Sequence, residues 1–478
     1  MFEEQTGSDQ EAESVGSTGR SCSLSDKFRS TVRILPVIVF LILCLCETSW
    51  FLVRLGPLTS PDPDMHGPTI YALATGKVFS PVQQESDSAG NRVKRQQLSG
   101  DSRFLFLEGR HNLLDIDAIE LSIKGDPGTW QQRLSNSQPM QLVHIPDSRH
   151  SNRSNQYFPL LYLPQAVGLR VAIWSGMTPY SSWQLARISN AIGFMLVWGA
   201  AIFMIPRGKW VLTVIGIMPS IVYLASSLMS DGNIIAVCGL FVALLLHCLV
   251  ADTKIPHTIQ LLLGFLFLIL LYSKILYAIP ILILLVLPQR LMTAKAKMLS
   301  ISAPIVVFIV TYVPWSVSFG GMLAIGNVNQ NLHKMLSHPL WTTRLIVHSM
   351  TKMTRLFMHQ PHWFLPQFVL LLAAWLCALA AVLAKNQVDT VKPRSAALWI
   401  SQNRYWVTTL VLCIVSIFMM YVALAVTWNN LQAPDVTELG GFQIRYVYPL
   451  LPFSAFAFVP HSHEVQNDET FTSIATNA

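Results

Sequence analysis

The chain has 478 residues, 52% of them hydrophobic and 12% charged, with a formal net charge of +7. Soluble domains carry about twice that charged fraction, so the composition excludes a string of soluble domains. The Lys and Arg residues sit mostly in short loops between apolar runs, and no basic patch is interleaved with aromatics, which argues against nucleic-acid binding.

Taken in order, residues 1–33 read as a cytoplasmic tail. The first 26 are rich in Ser, Gly and Glu and lack apolar periodicity. Lys27, Arg29 and Arg33 then precede an apolar run from Ile34 to Val53. That run is too long for a signal-peptide core, and no small-x-small cleavage site closes it. It is expected to stay in the bilayer with its N-terminal side in the cell.

A polar loop, 54–156, follows and lies outside by parity. Arg103 to Glu108 looks strand-like, and Asn91 to Arg95 looks like a hairpin edge. The seven cysteines fall in the N-terminal tail and in or beside apolar runs, and none in this loop, so no disulfide framework is indicated. Residues 157–174 are apolar and aromatic, with Pro159 and Pro164. They read as an interfacial or re-entrant helix at the outer face.

Spans are expected at 185–205, 210–228 and 232–251. The stretch 258–288 is apolar except at Ser273-Lys274. One helix of that length would measure about 46 Å against a hydrocarbon core of about 30 Å, so two short spans meeting at Lys274 fit better. Further spans follow at 298–318, 364–384, 405–427 and 446–460. A second outer loop, 319–363, holds a surface helix with Leu345, Ile346, Met350, Met353 and Phe357 on one face. Residues 461–478 form a cytoplasmic tail. The expected fold is an all-α polytopic membrane protein of about ten to eleven spans, its membrane domain covering 34–460.

Charges at membrane depth are costly and often mark function. Asp62, Asp64, His66, Arg187, Asp231, Lys274 and Arg445 come from distant parts of the chain, yet all fall at the outer ends of spans. Asp62 and Asp64 are two residues apart. Such a pair can serve as a general base or hold a divalent cation, and a Pro-rich turn explains it equally. Arg187 reads either as a ligand or as a snorkelling anchor, and Asp231 either as a ligand or as a helix cap. Arg445 could clamp a phosphate through two parallel hydrogen bonds. His333, His338, His348, His359 and His362 share an outer loop without zinc-type spacing.

The order Pro61-Asp62 to His66, Tyr157 to Gln165 through Pro159 and Tyr162, Arg187 to Asn190, Ser230-Asp231, Ser273-Lys274 and Gln443 to Tyr446 resembles a large bacterial family of predicted membrane proteins. That family is classed as a domain of unknown function and grouped with the GT-C membrane glycosyltransferases. The resemblance covers residues 34–460. It implies a GT-C-like bundle that takes a sugar from a polyprenyl-phosphate carrier at the outer face and passes it to a glycan or lipid acceptor. It places the base or metal ligand (Mg or Mn) on Asp62, with Asp64 close by. Phosphate recognition falls on Lys274 and Arg445, and His66, Tyr157, Tyr162, Gln165, Arg187, Asp231 and Tyr446 complete the substrate site. The family pattern has Glu where this chain has Pro63, so Asp64 stands one position late. A lipid-linked glycan transporter and a non-catalytic envelope-assembly protein are the rival readings. Transporters tend to carry internal repeats and midplane charges, and neither is evident here.

Overall fold

A computed structural model describes residues 21–56, 63–86, 92–99, 149–152, 155, 157–320, 326–354, 364–386 and 403–458. The expected strand at 103–108 lies outside them. The described residues are almost entirely helical. Helix α1 (Ser21–Arg54) is followed by α2 (Pro63–Thr75). A small antiparallel sheet comes next, β1 (Val82–Ser86), β2 (Arg92–Ser99) and β3 (Arg149–Asn152), with β2 in the middle. The hairpin edge expected at 91–95 is the start of β2, where Lys94 pairs with Gln84.

The sheet is tied to the membrane bundle. Lys94 Nζ donates to Val317 O at 2.7 Å, and Asn155 Nδ2 donates to Phe319 O at 2.8 Å. Both acceptors lie at the C-terminal end of α9 (Ala294–Ser318), where carbonyls lack helical partners and a cation meets the negative end of the helix dipole.

A 3-10 turn (Pro159–Tyr162) leads into α3 (Leu163–Trp174), which folds back against α4 (Pro179–Met204). Gly168 makes this approach possible. A Cβ there would stand 2.6 Å from Leu185 O and 2.7 Å from Ser189 Cβ. Helix α3 is about 18 Å long, too short to cross a core of about 30 Å. Its buried face holds Gln165, Ala166, Leu169 and Ala172, while Leu163, Val167, Val171 and Trp174 form an exposed apolar stripe. Segment 157–174 is therefore not a crossing. Helix α2 runs beside it in parallel. His66 meets Tyr162, and Arg170 Nη1 donates to Ala74 O at 3.0 Å, the same sequence offset at both contacts.

The span expected at 210–228 is two half-helices, α5 (Lys209–Gly216) and α6 (Pro219–Ala225), because Pro219 cannot donate into a continuous ladder. Lys209 Nζ holds the carbonyls of Ile202 and Phe203 at one end, and Ser226 O accepts from Arg187 at the other. The pair thus covers the length of α4 from Arg187 to Phe203.

Helix α7 (Asp231–Ala251) is followed by α8 (His257–Ser273) and a long 3-10 helix (Ile275–Val286). Lys274 breaks them with an extended backbone, φ −135° and ψ 108°. Ile255 N–H donates to Leu291 O at 2.9 Å, so the entry to α8 and the exit of the 3-10 helix are neighbours. Asp252 and Arg290 form an ion pair at the same place. Residues 258–288 are thus a hairpin whose arms are each about 25 Å long, as the rises of the two helix types require. Lys274 is its tip.

The stretch expected as a second outer loop contains α10 (Val328–Ser337) and α11 (Pro339–Thr351), whose Leu345 and Ile346 are buried. Helices α12 (Phe364–Asn386) and α13 (Arg404–Thr427) follow, then a 3-10 turn (Ile444–Tyr446) and a 3-10 helix (Tyr448–Phe458). Five helices among the described residues are long and apolar enough to cross a membrane: Ile34–Arg54 within α1, α4, α7, α9 and α13. Shorter apolar helices, His257–Ser273, Ile275–Val286, Leu365–Ala380 and Tyr448–Phe458, join them. The all-α polytopic architecture stands. Arg207, Lys209, Lys254, Arg290, Lys295, Lys297 and Arg404 lie where the segments end opposite Asp231 and Lys274.

Candidate functional site

Asp231 is the first residue of α7, and Ser230 takes the N-cap position without a side-chain cap bond. Among the described residues, Asp231 Oδ2 takes no hydrogen bond from the helix end. The carboxylate faces two cations instead. Lys274 Nζ lies 3.6 Å from Oδ1, and Arg445 Nε lies 3.9 Å from Oδ2. Lys274 is placed by the hairpin tip and Arg445 by the 3-10 turn Ile444–Tyr446. The Tyr446 ring lies 4.5 Å from Lys274 Nζ and 5.8 Å from Arg445 Cζ, within cation–π range. Two cations against one carboxylate leave a net positive charge, and the side chains of Lys274 and Arg445 keep partial access to the surface.

A second wall comes from α2 and the segment 157–165. His66 Nδ1 lies 2.6 Å from Tyr162 Oη. The His66 ring stacks on Tyr157 at 6.0 Å and 28°. Burial holds the phenols of Tyr157 and Tyr162 above the usual tyrosine range, so both stay neutral. A neutral phenol can donate to Nδ1 or accept from it, according to the imidazole tautomer. The charges of Lys274, Asp231 and Arg445 act on Tyr157 as well.

The backbone behind the cluster is fixed by buried amides. Gln165 Nε2 donates to Met229 O at 3.0 Å, and Asn190 Nδ2 to Ser227 O at 2.9 Å and Met229 O at 3.1 Å. Asn233 Nδ2 reaches Leu161 O at 3.2 Å and Asn190 Oδ1 at 2.9 Å. These bonds join α3, α4 and α7 at one level and present Asp231.

Of the residues expected in the site, the structure brings together His66, Tyr157, Tyr162, Gln165, Asp231, Lys274, Arg445 and Tyr446. It places Arg187 elsewhere. That guanidinium is buried, and its nitrogens donate to Ser226 O at 2.7 Å, Leu55 O at 2.7 Å, Phe51 O at 3.3 Å and Gln184 Oε1 at 3.0 Å. Arg187 binds the C-terminal carbonyls of α1 to the loop after α6, which corrects the ligand reading in favour of an internal clamp. Asp62 lies outside the described residues. Asp64 stands in the first turn of α2 by its backbone alone. Among the described residues, no three His, Cys, Asp or Glu side chains gather to hold a metal.

Residues 48–454 match the family model described as predicted membrane protein (DUF2142). The chain belongs to that family. No curated protein and no solved structure matches it. The DUF2142 region runs from Thr48 in α1 to Ser454 in the last 3-10 helix and so encloses the whole cluster.

Sequence reasoning missed three supports of the DUF2142 cluster. Tyr277 Oη donates to Tyr446 O at 3.2 Å and holds the Arg445 turn. Met229 offers its sulfur to Arg445 Nη1 at 3.1 Å, and Asn233 pins the 159–162 turn. Only Tyr277 left a signal, as a polar tip one helical turn after Lys274.

Proposed function

We propose that this DUF2142 protein is a membrane glycosyltransferase of the GT-C type. It moves a sugar from a polyprenyl-phosphate donor to a glycan or lipid acceptor on the outer side of a bacterial plasma membrane. The observation that carries the reading is the pairing of Lys274 and Arg445 across Asp231. A site with one net positive charge and an aromatic wall, at one end of an apolar bundle, suits an anionic group on a lipid that also bears a sugar ring. The basic residues crowd the opposite end, and the positive-inside rule then turns the cluster outward.

In this reading, the acceptor hydroxyl attacks the anomeric carbon. Its proton passes to Asp62 or Asp64, a new carbon–oxygen bond forms, and the bond to phosphate breaks. The electron pair leaves with the lipid phosphate, which gains one negative charge. Lys274 and Arg445 stabilise that charge as it develops.

The test is the surface glycan of a deletion strain. Loss of one sugar residue supports the transferase. Accumulation of a complete lipid-linked precursor on the inner leaflet points to a transporter instead. Full transfer by the Asp62→Asn and Asp64→Asn variants together removes the base assignment.

A further inference from the structure

Among the described residues, two buried acceptors in the cluster have no hydrogen-bond donor. Asp231 is 3% exposed and Gln165 is 0% exposed. Asp231 Oδ2 and Gln165 Oε1 are both shielded from solvent and both lack a hydrogen bond. The amide orientation of Gln165 is set by chemistry, because Met229 O can accept only from Nε2. The oxygen is therefore the atom left over. Met229 links the two residues, its carbonyl accepting from Gln165 Nε2 and its sulfur from Arg445 Nη1, while Arg445 Nε faces Asp231 Oδ2.

Buried acceptors left without donors cost free energy, and native proteins satisfy them with few exceptions. The donor required here has a definite character. Lys274 and Arg445 already neutralise Asp231, so a further cation is disfavoured. An anionic group held by those cations brings acceptors and no donors. A neutral O–H fits each atom, one donor to each.

We propose that Gln165 Oε1 and Asp231 Oδ2 form a hydroxyl-recognition subsite beside the anion-binding pair Lys274 and Arg445. Its ligand is a pair of ring hydroxyls on the sugar of the lipid donor, one donating to each acceptor. This rests on the donor reading above and adds which atoms select the sugar. Gln165 positions and selects, and it takes no part in bond making. Hydrogen-bonding sites of this kind discriminate strongly against analogues that lack the hydroxyl, because the buried acceptor is then left unpaired.

The test uses the full-length protein in nanodiscs and two C55 lipids of equal charge. One is a polyprenyl phosphate diester carrying a hexose or pentose, taken from a panel as the tightest binder. The other is the methyl diester, which has no hydroxyl. Wild type is expected to bind the sugar lipid more tightly than the methyl lipid. Gln165→Met is expected to remove about tenfold of that preference, the loss of one buried hydrogen bond, and to leave the methyl lipid within about twofold. Unchanged methyl-lipid binding also shows that the variant is folded, as expected because Met229 O still accepts from Asn190. Lys274→Met is expected to weaken both lipids alike. Equal binding of the two lipids by wild type, or a preference that survives Gln165→Met, overturns the subsite while the Lys274 result keeps the donor reading. A buried water on the two acceptors gives that same outcome. Binding of neither lipid by wild type overturns both.

Discussion

Lys274 Nζ stands 3.6 Å from Asp231 Oδ1, although the two residues belong to different membrane segments. The pair is asymmetric, since the Asp231 side chain is 5% exposed and that of Lys274 is 28% exposed. Removing the cation leaves a buried carboxylate short of one partner. Lys274→Met is expected to cost about 1–3 kcal/mol, below the value for a fully buried pair because Lys274 keeps some solvent. Asp231→Asn added to it should restore part of the loss. Thermal unfolding of the single and double variants in one detergent checks this, and additive losses would deny the coupling.

Arg187 is predicted to matter for assembly and not for ligand affinity. Its three carbonyl partners sit on α1 and on the loop after α6. Arg187→Met takes the guanidinium away from the buried carbonyls of Leu55 and Ser226, while Phe51 O keeps the N–H of Leu55, at about 2–4 kcal/mol in total. The melting temperature should fall while lipid binding by the folded fraction stays within about twofold, the margin of one weak contact. A large affinity loss at unchanged stability would restore Arg187 to the site.

The hairpin at 258–288 makes a topological prediction. Cysteines at Lys254 and at Arg290 should react with a membrane-impermeant thiol reagent from one side of the membrane, and a cysteine at Lys274 from the other. The hydrogen bond from Ile255 to Leu291 requires the first two to share a side. Labelling of 254 and 290 from opposite sides would return the segment to a single span.

Gly168 is predicted to resist enlargement. Its missing Cβ would press on the backbone oxygen of Leu185, which cannot move without shifting α4. Gly168→Leu should cost about 3 kcal/mol or more. Gel filtration of the fluorescently tagged protein should show a smaller monodisperse peak. Wild-type behaviour of this variant would mean that α3 and α4 do not pack so closely.

The buried phenol of Tyr162 gives a pH signature. Its ionisation is held above the ordinary value of about 10 in the native protein, because burial penalises the phenolate. Below that pH both native and unfolded states keep the proton, and the residue adds no pH dependence. Above it the unfolded chain ionises first, so native stability falls as pH rises. Melting temperatures from pH 8 to 11 should drop more steeply in wild type than in Tyr162→Phe. Parallel curves would show that the phenol is not buried.

The sequence by itself determined the class of the protein and the level at which its charges lie. Apolar runs of bilayer length are a local property, and the cost of exposing a peptide group to hydrocarbon makes each of them helical. The interruption at Lys274 was legible for the same reason, since one charge in a long apolar stretch must reach a surface. Only the tertiary structure decided which charges meet. Arg187 and Arg445 look alike in sequence, each near the end of a span. The first is consumed by the carbonyls of Phe51, Leu55 and Ser226, whereas the second reaches Asp231. The shortness of the 157–174 element also needed tertiary structure, because Gly168 shows its meaning only when α4 lies against it. Hydropathy acts along the chain, but pairing acts between segments, and the difference between an internal clamp and a ligand site is made by what each side chain finds across the gap.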